Sequence, residues 1–269
     1  MVMRFAVVGA GKLGEALVSG MLRAGRSADD VAVTTRRVER AKELAERYGV
    51  RAVGNVEAAA SADVLLLTVK PQDVDVLVDE LAPAVPASTL VVSFAAGIPT
   101  AYYERRLAVG VPVVRVMTNT PVLVDAAMSA ISGGAHAGEV HLSMVEDLLV
   151  TVGRVIRMPE AQQDAVTALS GSGPAYFYYL VEAMTDAGIL LGLPRAVAAE
   201  LLVQTALGSA LMLRDSGEHP VKLREAVTSP AGTTINAIRE LENHGVRAAF
   251  LAAIEAARDR SAELGRAHE

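Results

Sequence analysis

The sequence predicts an α/β domain with a parallel sheet, followed by an all-α domain. In the first part, short runs of β-branched and apolar residues alternate with helical segments, a pattern typical of parallel strands joined by helices. From Glu160 onward the strand pattern stops and only helical segments follow. We therefore expect an α/β domain over residues 1–158 and an all-α domain over residues 159–269.

Each element has its own signal in the sequence. The apolar runs predict strands near residues 3–8, 31–34, 63–69, 89–93 and 112–116. The segments 127–131 and 154–158 extend the sheet at its far edge, with a helix over 138–152 between them. Helices are predicted in the second part at 160–169, 173–192, 194–214, 219–227 and 231–264, the last with a break at residues 244–245.

Composition places the chain among compact globular proteins. The 269 residues are 52% hydrophobic, which excludes disorder, and the net charge of −6 argues against nucleic-acid binding. The chain has no cysteine, which fits a cytoplasmic protein. The longest nearly uncharged stretch, 196–213, contains Glu200 and Gln204, so we expect a buried helix there and no membrane span.

A glycine-rich turn follows the first predicted strand and opens a helix. Gly9 permits the tight turn, Gly11 lets a pyrophosphate approach the backbone, and Gly14 lets the helix pack close to the strand. The strand before the turn and a second strand at the expected distance favour a Rossmann-type dinucleotide site over a chance match. Its predicted cofactor-binding residues are Gly9, Gly11, Lys12, Leu13 and Gly14.

The end of the second strand indicates which dinucleotide binds. Enzymes that prefer NAD usually have an acidic residue there for the ribose 2′-hydroxyl, whereas this strand ends in Thr34, Thr35, Arg36 and Arg37. Two guanidinium groups suit a 2′-phosphate, so NADPH is predicted, with NADH possible. The alternative is that Arg36 and Arg37 are a solvated basic first turn.

Other predicted cofactor residues follow later strands, because ligands of open parallel sheets lie beyond the strands' carboxyl ends. Small residues after the predicted strand at 89–93 leave room for a nicotinamide ring, Lys70 suits a phosphate, and Asn55 suits a ribose. Each of these alone is also compatible with ordinary turn chemistry. The predicted set is Asn55, Val69, Lys70, Pro71, Ala95, Ala96, Gly97 and Asn119.

A second anion site is predicted where VTSPAGTT opens a helix in the all-α part. Gly232 allows a ligand to approach the backbone, and unpaired amides and the hydroxyls of Ser229, Thr233 and Thr234 suit a small carboxylate. The alternative is simple helix capping, since Ser and Thr are ordinary N-cap residues.

The helical part also predicts self-association. Its apolar faces, such as YFYYLVEAM and AAFLAAIEAA, are too wide to be covered easily by one short bundle. The alternative is that the chain covers both faces itself. No metal site is predicted, because the five histidines lack partners at ligand spacing, and surface or capping roles are expected for them.

Seven motifs together resemble the pyrroline-5-carboxylate reductase family, which makes proline by reducing a cyclic imine with NAD(P)H. They are the glycine turn at 9–14, VKPQ at 69–72, SFAAGI at 93–98, MTNTP at 117–121, LSGSGPAY at 169–176, LGLPR at 191–195, and VTSPAGTT at 227–234. The resemblance covers nearly the whole chain. It implies a Rossmann domain followed by a helical domain that interlocks with another subunit, giving a homodimer or a higher assembly of dimers.

The resemblance also implies roles for single residues. It makes Ser229, Gly232, Thr233 and Thr234 the cradle for the substrate's carboxylate and ring nitrogen, with Thr234 facing the nitrogen as the catalytic residue. Glu160 is a weaker substrate-binding candidate. The chain departs from many relatives at Ala231, where they have glycine, and from some at Ala226, where they have a polar side chain.

Two other functional classes share parts of this pattern. A β-hydroxyacid dehydrogenase also combines a Rossmann domain with a helical domain, but Lys222, the candidate for its catalytic lysine, lies outside the helix where that class would place it. A non-catalytic NADP(H)-binding sensor would bind cofactor without turning over a substrate.

Overall fold

The computed structural model describes residues 3–266. The chain divides into two compact units, one formed by Met1–Ser172 with Ala257–Glu269 and the other by Gly173–Ala256. The first unit thus ends at Ser172 and also contains the end of the last helix. The sequence suggested a single boundary, between residues 158 and 159.

The first unit contains an eight-stranded sheet in the order β3-β2-β1-β4-β5-β6-β7-β8. The strands β1 to β6 run parallel, β7 is antiparallel to β6, and β8 is parallel to β7. Their bounds are β1 Phe5–Val8, β2 Val31–Thr34, β3 Arg51–Ala52, β4 Val64–Leu67, β5 Leu90–Ser93, β6 Val113–Met117, β7 Ala127–Gly133 and β8 Gly153–Arg157. The sheet thus confirms the predicted parallel α/β fold with two added strands at its far edge.

Helices connect the strands of the first unit, and a short helix follows the last strand. They are α1 Lys12–Arg23, α2 Val38–Tyr48, α3 Asn55–Ser61, α4 Val74–Leu81, α5 Thr100–Arg106, α6 Glu139–Leu149 and α7 Gln163–Val166. The helix predicted over 160–169 is more irregular than expected, since a 3₁₀ turn precedes α7 and a π-helical turn over Thr167–Gly171 follows it.

The sheet is buried on both faces, which explains its nearly continuous apolar strands. On one face Phe5, Val7, Val33 and Leu66 pack with α1, α2 and α6, and on the other Leu65, Leu67 and Val91 pack with α3, α4 and α5. This rigid centre fixes the loops that follow the strands.

The second unit is helical. Its elements are α8 Gly173–Leu190, α9 Arg195–Ser216, α10 Pro220–Ala226, α11 Thr233–Asn243 and α12 Val246–Arg266, whose last ten residues belong to the first unit. All five agree with the helices expected from sequence to within about two residues at each end, and the predicted break at residues 244–245 separates α11 from α12.

The long helix α9 is exposed in the single chain. Only Ala198 of its 22 residues is buried, and Leu201, Val203 and Leu207 are more than half exposed. The single chain therefore does not bury this helix, and the predicted burial is not met within one chain. Of the helices described, α9 alone is long and apolar enough to cross a membrane by length and composition, a criterion that a soluble protein's helix also meets.

Candidate functional site

The turn after β1 has the backbone geometry of a dinucleotide site. Gly9 has φ +83°, which favours glycine, and the amides of Gly9 and Ala10 donate to the carbonyl oxygen of Thr34 at 3.1 and 2.8 Å. A β-carbon on Gly9 would lie 2.4 Å from Val69 Cγ1 and 3.2 Å from the Val69 nitrogen. The turn is therefore held tightly between the ends of β2 and β4.

Gly14 and Gly11 differ in what surrounds them. A β-carbon on Gly14 would lie 2.9 Å from both Val7 Cγ1 and Thr68 Oγ1, so glycine is needed for α1 to pack on the sheet. On Gly11 it would meet nothing closer than the Gly9 carbonyl oxygen at 3.8 Å. Gly11 is the N-cap of α1, and in the described part of the chain no side chain caps this helix end. Open space at uncapped amides fits a pyrophosphate group.

Glu15 in the first turn of α1 connects that helix to α2. Its carboxylate accepts hydrogen bonds from Arg40, from Arg47 Nη1 at 2.7 Å and from the Tyr48 hydroxyl at 3.0 Å. Burial by itself raises the pKa of Glu15, but the hydrogen bonds from Arg40 and Tyr48 outweigh it and hold that pKa below its ordinary value. The network fixes α2 beside the glycine turn.

The four predicted residues at the end of β2 have different surroundings. The Thr34 side chain is buried, and Thr35 Oγ1 accepts from the Arg37 amide at 3.3 Å. Arg36 makes a two-pronged ion pair with Asp73, Nη1 to Oδ1 at 3.1 Å and Nη2 to Oδ2 at 3.3 Å. At this loop, the guanidinium groups that could bind a phosphate are those of Arg36 and Arg37.

The loop after β4 completes the surroundings of the turn. Val69 packs against Gly9, as described, while Lys70 is exposed and precedes a 3₁₀ turn that starts at Pro71. Asn55 begins α3, and its Nδ2 donates to Glu80 Oε2 at 3.0 Å. The structure thus brings Val69 directly to the glycine turn, whereas the Asn55 side chain is engaged by α4.

After β5, the small residues are occupied by packing. Ala95 is 1% exposed and belongs to the core, Ala96 is half-buried, and Gly97 has φ +79°. A β-carbon on Gly97 would lie 3.3 Å from Leu264 Cβ and 3.4 Å from the Gly265 nitrogen. The left-handed backbone and the close contact with the end of α12 both favour glycine at residue 97.

Asn119, after β6, uses its side chain within the protein. Its Oδ1 accepts from the Met128 amide at 3.0 Å, and its Nδ2 donates to the Ser170 carbonyl oxygen at 3.3 Å. These bonds tie β6, β7 and the π-helical turn together. The predicted cofactor contact of Asn119 stays a prediction. Because these bonds engage the side chain, such a contact would be made by the Asn119 backbone.

Glu160 is also engaged by neighbouring residues. One carboxylate oxygen accepts from the Thr100 amide at 2.7 Å and the other from the Thr100 hydroxyl at 2.7 Å. Arg115, 4% exposed, approaches the same carboxylate at 3.4 Å. Glu160 therefore fixes the start of α5 and balances a buried charge, and its predicted substrate contact remains untested.

The predicted anion site in the helical unit forms a compact turn before α11. The Gly232 amide donates to the Ser229 carbonyl oxygen at 3.1 Å, and a β-carbon on Gly232 would lie 2.3 Å from Ser229 Oγ. Gly232 is the N-cap of α11, and no side chain among residues 3–266 caps this helix start. The simple capping alternative therefore does not account for Ser229.

The hydroxyls in this turn are available for a ligand. Ser229, Thr233 and Thr234 make no side-chain hydrogen bond to other residues in the range 3–266, and Thr234 is half-buried. Ala231 has φ +56°, a conformation that favours glycine, which matches the expectation that many relatives have glycine here. Amides and hydroxyls at one helix start are suited to a carboxylate.

Histidines have structural roles where the structure gives them partners. His141 Nδ1 accepts from the Gly138 amide at 3.0 Å and His219 Nδ1 from the Val221 amide at 3.3 Å, which confirms capping for these two. Within residues 3–266, no group of three or more His, Cys, Asp or Glu side chains is placed to hold a metal ion. Lys222 is exposed and paired with Glu218 at 3.1 Å.

Two acidic residues beside the glycine turn, Asp73 and Glu15, are not among the predicted site residues. Each lies in the first turn of a helix, where acidic residues are common, so neither stands out in the sequence. Their basic partners lie 25 to 37 residues away in the sequence, so no local pattern reveals either pairing.

Family comparisons match both parts of the chain. Residues 160–264 match the family model described as pyrroline-5-carboxylate reductase dimerisation, and residues 4–97 match one described as NADP oxidoreductase, coenzyme F420-dependent. The two matches correspond to the helical region and to the glycine-turn half of the sheet.

Individual relatives extend these matches to the full length. The chain is 47% identical to a pyrroline-5-carboxylate reductase of Corynebacterium melassecola, over 97% of this chain and 98% of the relative. A solved pyrroline-5-carboxylate reductase of Coxiella burnetii has a TM-score of 0.91 at 34% identity and covers 98% of this chain and 99% of its own. A Plasmodium falciparum pyrroline carboxylate reductase, solved with NADP bound, has a TM-score of 0.88 at 26% identity, with 98% of each chain covered.

Proposed function

Since the chain belongs to the pyrroline-5-carboxylate reductase family and is an NAD(P)H-dependent oxidoreductase that reduces 1-pyrroline-5-carboxylate to L-proline, we propose which of its residues carry out this reaction. The observation that carries the proposal is a pair of helix starts at glycine, Gly11 with open space over its α-carbon and Gly232 beside the hydroxyls of Ser229 and Thr234. One suits the cofactor's pyrophosphate and the other the substrate's carboxylate.

Gly9, Gly11, Lys12, Leu13 and Gly14 form the proposed pyrophosphate site. The open space over Gly11 and the free amides at the start of α1 support it. Arg36 and Arg37 are the proposed ligands of the 2′-phosphate, because their charge complements it and no acidic residue occupies the end of β2. We propose a preference for NADPH, with NADH also accepted.

Other cofactor contacts are proposed from the loops around the turn. Val69, Lys70 and Pro71 follow β4 beside Gly9, and Thr34 and Thr35 lead into the two arginines. Backbone groups of Ala95, Ala96, Gly97 and Asn119 are the contacts proposed after β5 and β6, since the side chains of Ala95 and Asn119 are occupied within the protein. Asn55 would bind the ribose after release from Glu80.

Ser229, Gly232, Thr233 and Thr234 form the proposed substrate cradle. When bound, NAD(P)H supplies a hydride to the imine carbon, and electron density then collects on the ring nitrogen. A threonine hydroxyl is too weak an acid to be the final proton source near neutral pH, so Thr234 would orient the ring and relay a proton from water. Catalysis would come mainly from alignment of the two bound partners.

The match to the dimerisation family identifies the chain as a homo-oligomer acting on a small molecule. We propose a homodimer that can assemble further through the helical region, supported by exposed apolar residues such as Tyr179 and Leu190. The family match begins at residue 160, which supports 1–158 as the cofactor-binding domain and 159–269 as the substrate-binding and dimerisation domain. We propose a cytoplasmic location, without nucleic-acid or membrane partners.

The decisive experiment is a reductase assay with purified protein. NADPH and NADH oxidation would be followed at matched concentrations with 1-pyrroline-5-carboxylate, and L-proline would be identified as product by chiral chromatography. We expect turnover with both cofactors, faster with NADPH at low concentration. Oxidation that requires a keto acid would indicate the β-hydroxyacid dehydrogenase class, and cofactor binding without turnover would indicate a sensor.

A further inference from the structure

The guanidinium group of Arg36 is already paired within the protein. Both of its terminal nitrogens face the two carboxylate oxygens of Asp73, at 3.1 and 3.3 Å. By contrast, the guanidinium of Arg37 has no ion pair or hydrogen bond to any residue that the structure describes. The two proposed 2′-phosphate ligands therefore differ in whether they have a protein partner.

The pair crosses the edge of the sheet where the cofactor is expected. β1 lies between β2 and β4, Arg36 follows β2, and Asp73 follows β4. A contact between these two loops spans the glycine turn that follows β1. The Asp73 carboxylate consequently lies beside the proposed position of the adenosine ribose.

A carboxylate and a phosphate use the same N–H groups of arginine, because both accept two parallel hydrogen bonds from its fork. NADH has no 2′-phosphate and does not compete for Arg36. We infer that Asp73 is a specificity-determining residue that weakens the preference for NADPH by competing with the 2′-phosphate for Arg36, an inference that rests on the proposed role of Arg36.

The pair is weak enough to be exchanged. The Arg36 side chain is 85% exposed and that of Asp73 is 29% exposed. Such solvent-exposed pairs contribute little, so removing the competing carboxylate is expected to change cofactor affinity by roughly two- to five-fold. The effect is small, but it is specific to one of the two cofactors.

Asp73→Asn tests the inference, since it removes the charge and keeps the shape. At saturating 1-pyrroline-5-carboxylate, we expect the KM for NADPH to fall roughly two- to five-fold, with the KM for NADH and both kcat values unchanged. Asp79→Asn is the matched control, because it also removes one negative charge, here from α4. The Asp79 side chain is 73% exposed and faces Arg106, not Arg36. It should leave the ratio of the two KM values unchanged.

Three further variants separate this inference from the proposed function. Arg36→Ala and Arg37→Ala report on the 2′-phosphate site, and if neither raises the KM for NADPH relative to NADH, the proposed site itself is wrong. If either arginine variant does raise it, the site stands and Asp73→Asn tests the role of Asp73 alone. That role is wrong if Asp73→Asn leaves the ratio of the KM for NADPH to the KM for NADH unchanged, raises the KM for NADPH, or changes both KM values equally. The double variant of Arg36→Ala with Asp73→Asn should have the same KM for NADPH as Arg36→Ala alone. If Asp73→Asn lowers that KM as much in the double variant as in the wild type, Asp73 does not act by competing for Arg36.

Discussion

Ser229 Oγ lies directly over Gly232. A β-carbon added at residue 232 would be only 2.3 Å from this oxygen, so the two cannot occupy their places together. The Gly232 backbone has φ −75°, which any residue adopts, so an added methyl group would chiefly displace the serine hydroxyl. The Ser229 carbonyl oxygen, 3.2 Å from the added carbon, would also have to shift slightly. This relationship links the glycine at residue 232 to the position of one proposed substrate ligand.

Gly232→Ala is therefore expected to act on the substrate. Loss of one hydrogen bond to the carboxylate should raise the KM for 1-pyrroline-5-carboxylate about ten-fold, with the KM for NADPH and the melting temperature nearly unchanged. Gly138→Ala is a matched control, because Gly138 is also a helix N-cap and has open space around its α-carbon. An equal rise in both KM values for Gly232→Ala would contradict the assigned role of Ser229.

Two glycines of the dinucleotide turn should respond to the same change in opposite ways. Gly11→Ala places a methyl group in open space, so stability should be retained while the KM for NADPH rises roughly ten-fold or more, because the pyrophosphate loses its close approach. Gly9→Ala should destabilise the fold by about 2 kcal/mol or more, because φ is +83° and Val69 leaves no room.

Urea denaturation and steady-state kinetics on both variants check this contrast. If Gly11→Ala unfolds as easily as Gly9→Ala, residue 11 has a packing role and the proposed pyrophosphate site loses its main support. If Gly11→Ala is stable and keeps its affinity for NADPH, the cofactor lies elsewhere.

Much of the fold was predictable because its signals are local. The strand at residues 31–34 and the break between α11 and α12 follow from runs of apolar residues and from one His-Gly pair. The side-chain partners were not predictable, because they join residues distant in sequence. Ala95 illustrates the limit: a small residue after a strand has the same appearance whether it faces the core or a ligand, and here it is 1% exposed in the core.

Asn119 and Glu160 show the same limit for polar residues. A motif identifies both as candidates for binding, yet the structure gives their side chains internal partners in Met128 and Thr100. The start of α11 shows the reverse case, since the sequence left helix capping as an alternative role for its hydroxyls, and among the described residues Ser229 makes no capping bond.

The Glu15 network should make stability depend on pH in a defined direction. The pKa of Glu15 is lower in the folded protein than its ordinary value of 4.5, so its contribution is fully present above that value and is lost as pH falls through the folded pKa. Glu15→Gln should cost about 1 to 2 kcal/mol at neutral pH, because three donors lose a charged acceptor.

Urea denaturation of the wild type and the variant at successively lower pH tests this expectation. The difference in unfolding free energy should shrink as the wild-type carboxylate becomes protonated. Glu46→Gln, on the exposed side of α2 and without an ion pair in the described part of the chain, is the control and should show a small difference at every pH. A constant difference for Glu15→Gln would mean that its charge is not what stabilises α2.

Thr234 provides the sharpest test of the chemistry. If its hydroxyl orients the substrate ring through a charge-assisted hydrogen bond of about 1.5 to 3 kcal/mol, Thr234→Ala should lower kcat/KM by roughly 10- to 150-fold. Thr234→Ser keeps the hydroxyl and should retain most activity. Thr228→Ala is the matched control, because that hydroxyl donates to the Arg224 carbonyl oxygen at 2.6 Å and is not free for a ligand. An unchanged kcat/KM for Thr234→Ala would remove Thr234 from the mechanism and leave alignment by the two helix starts as the source of catalysis.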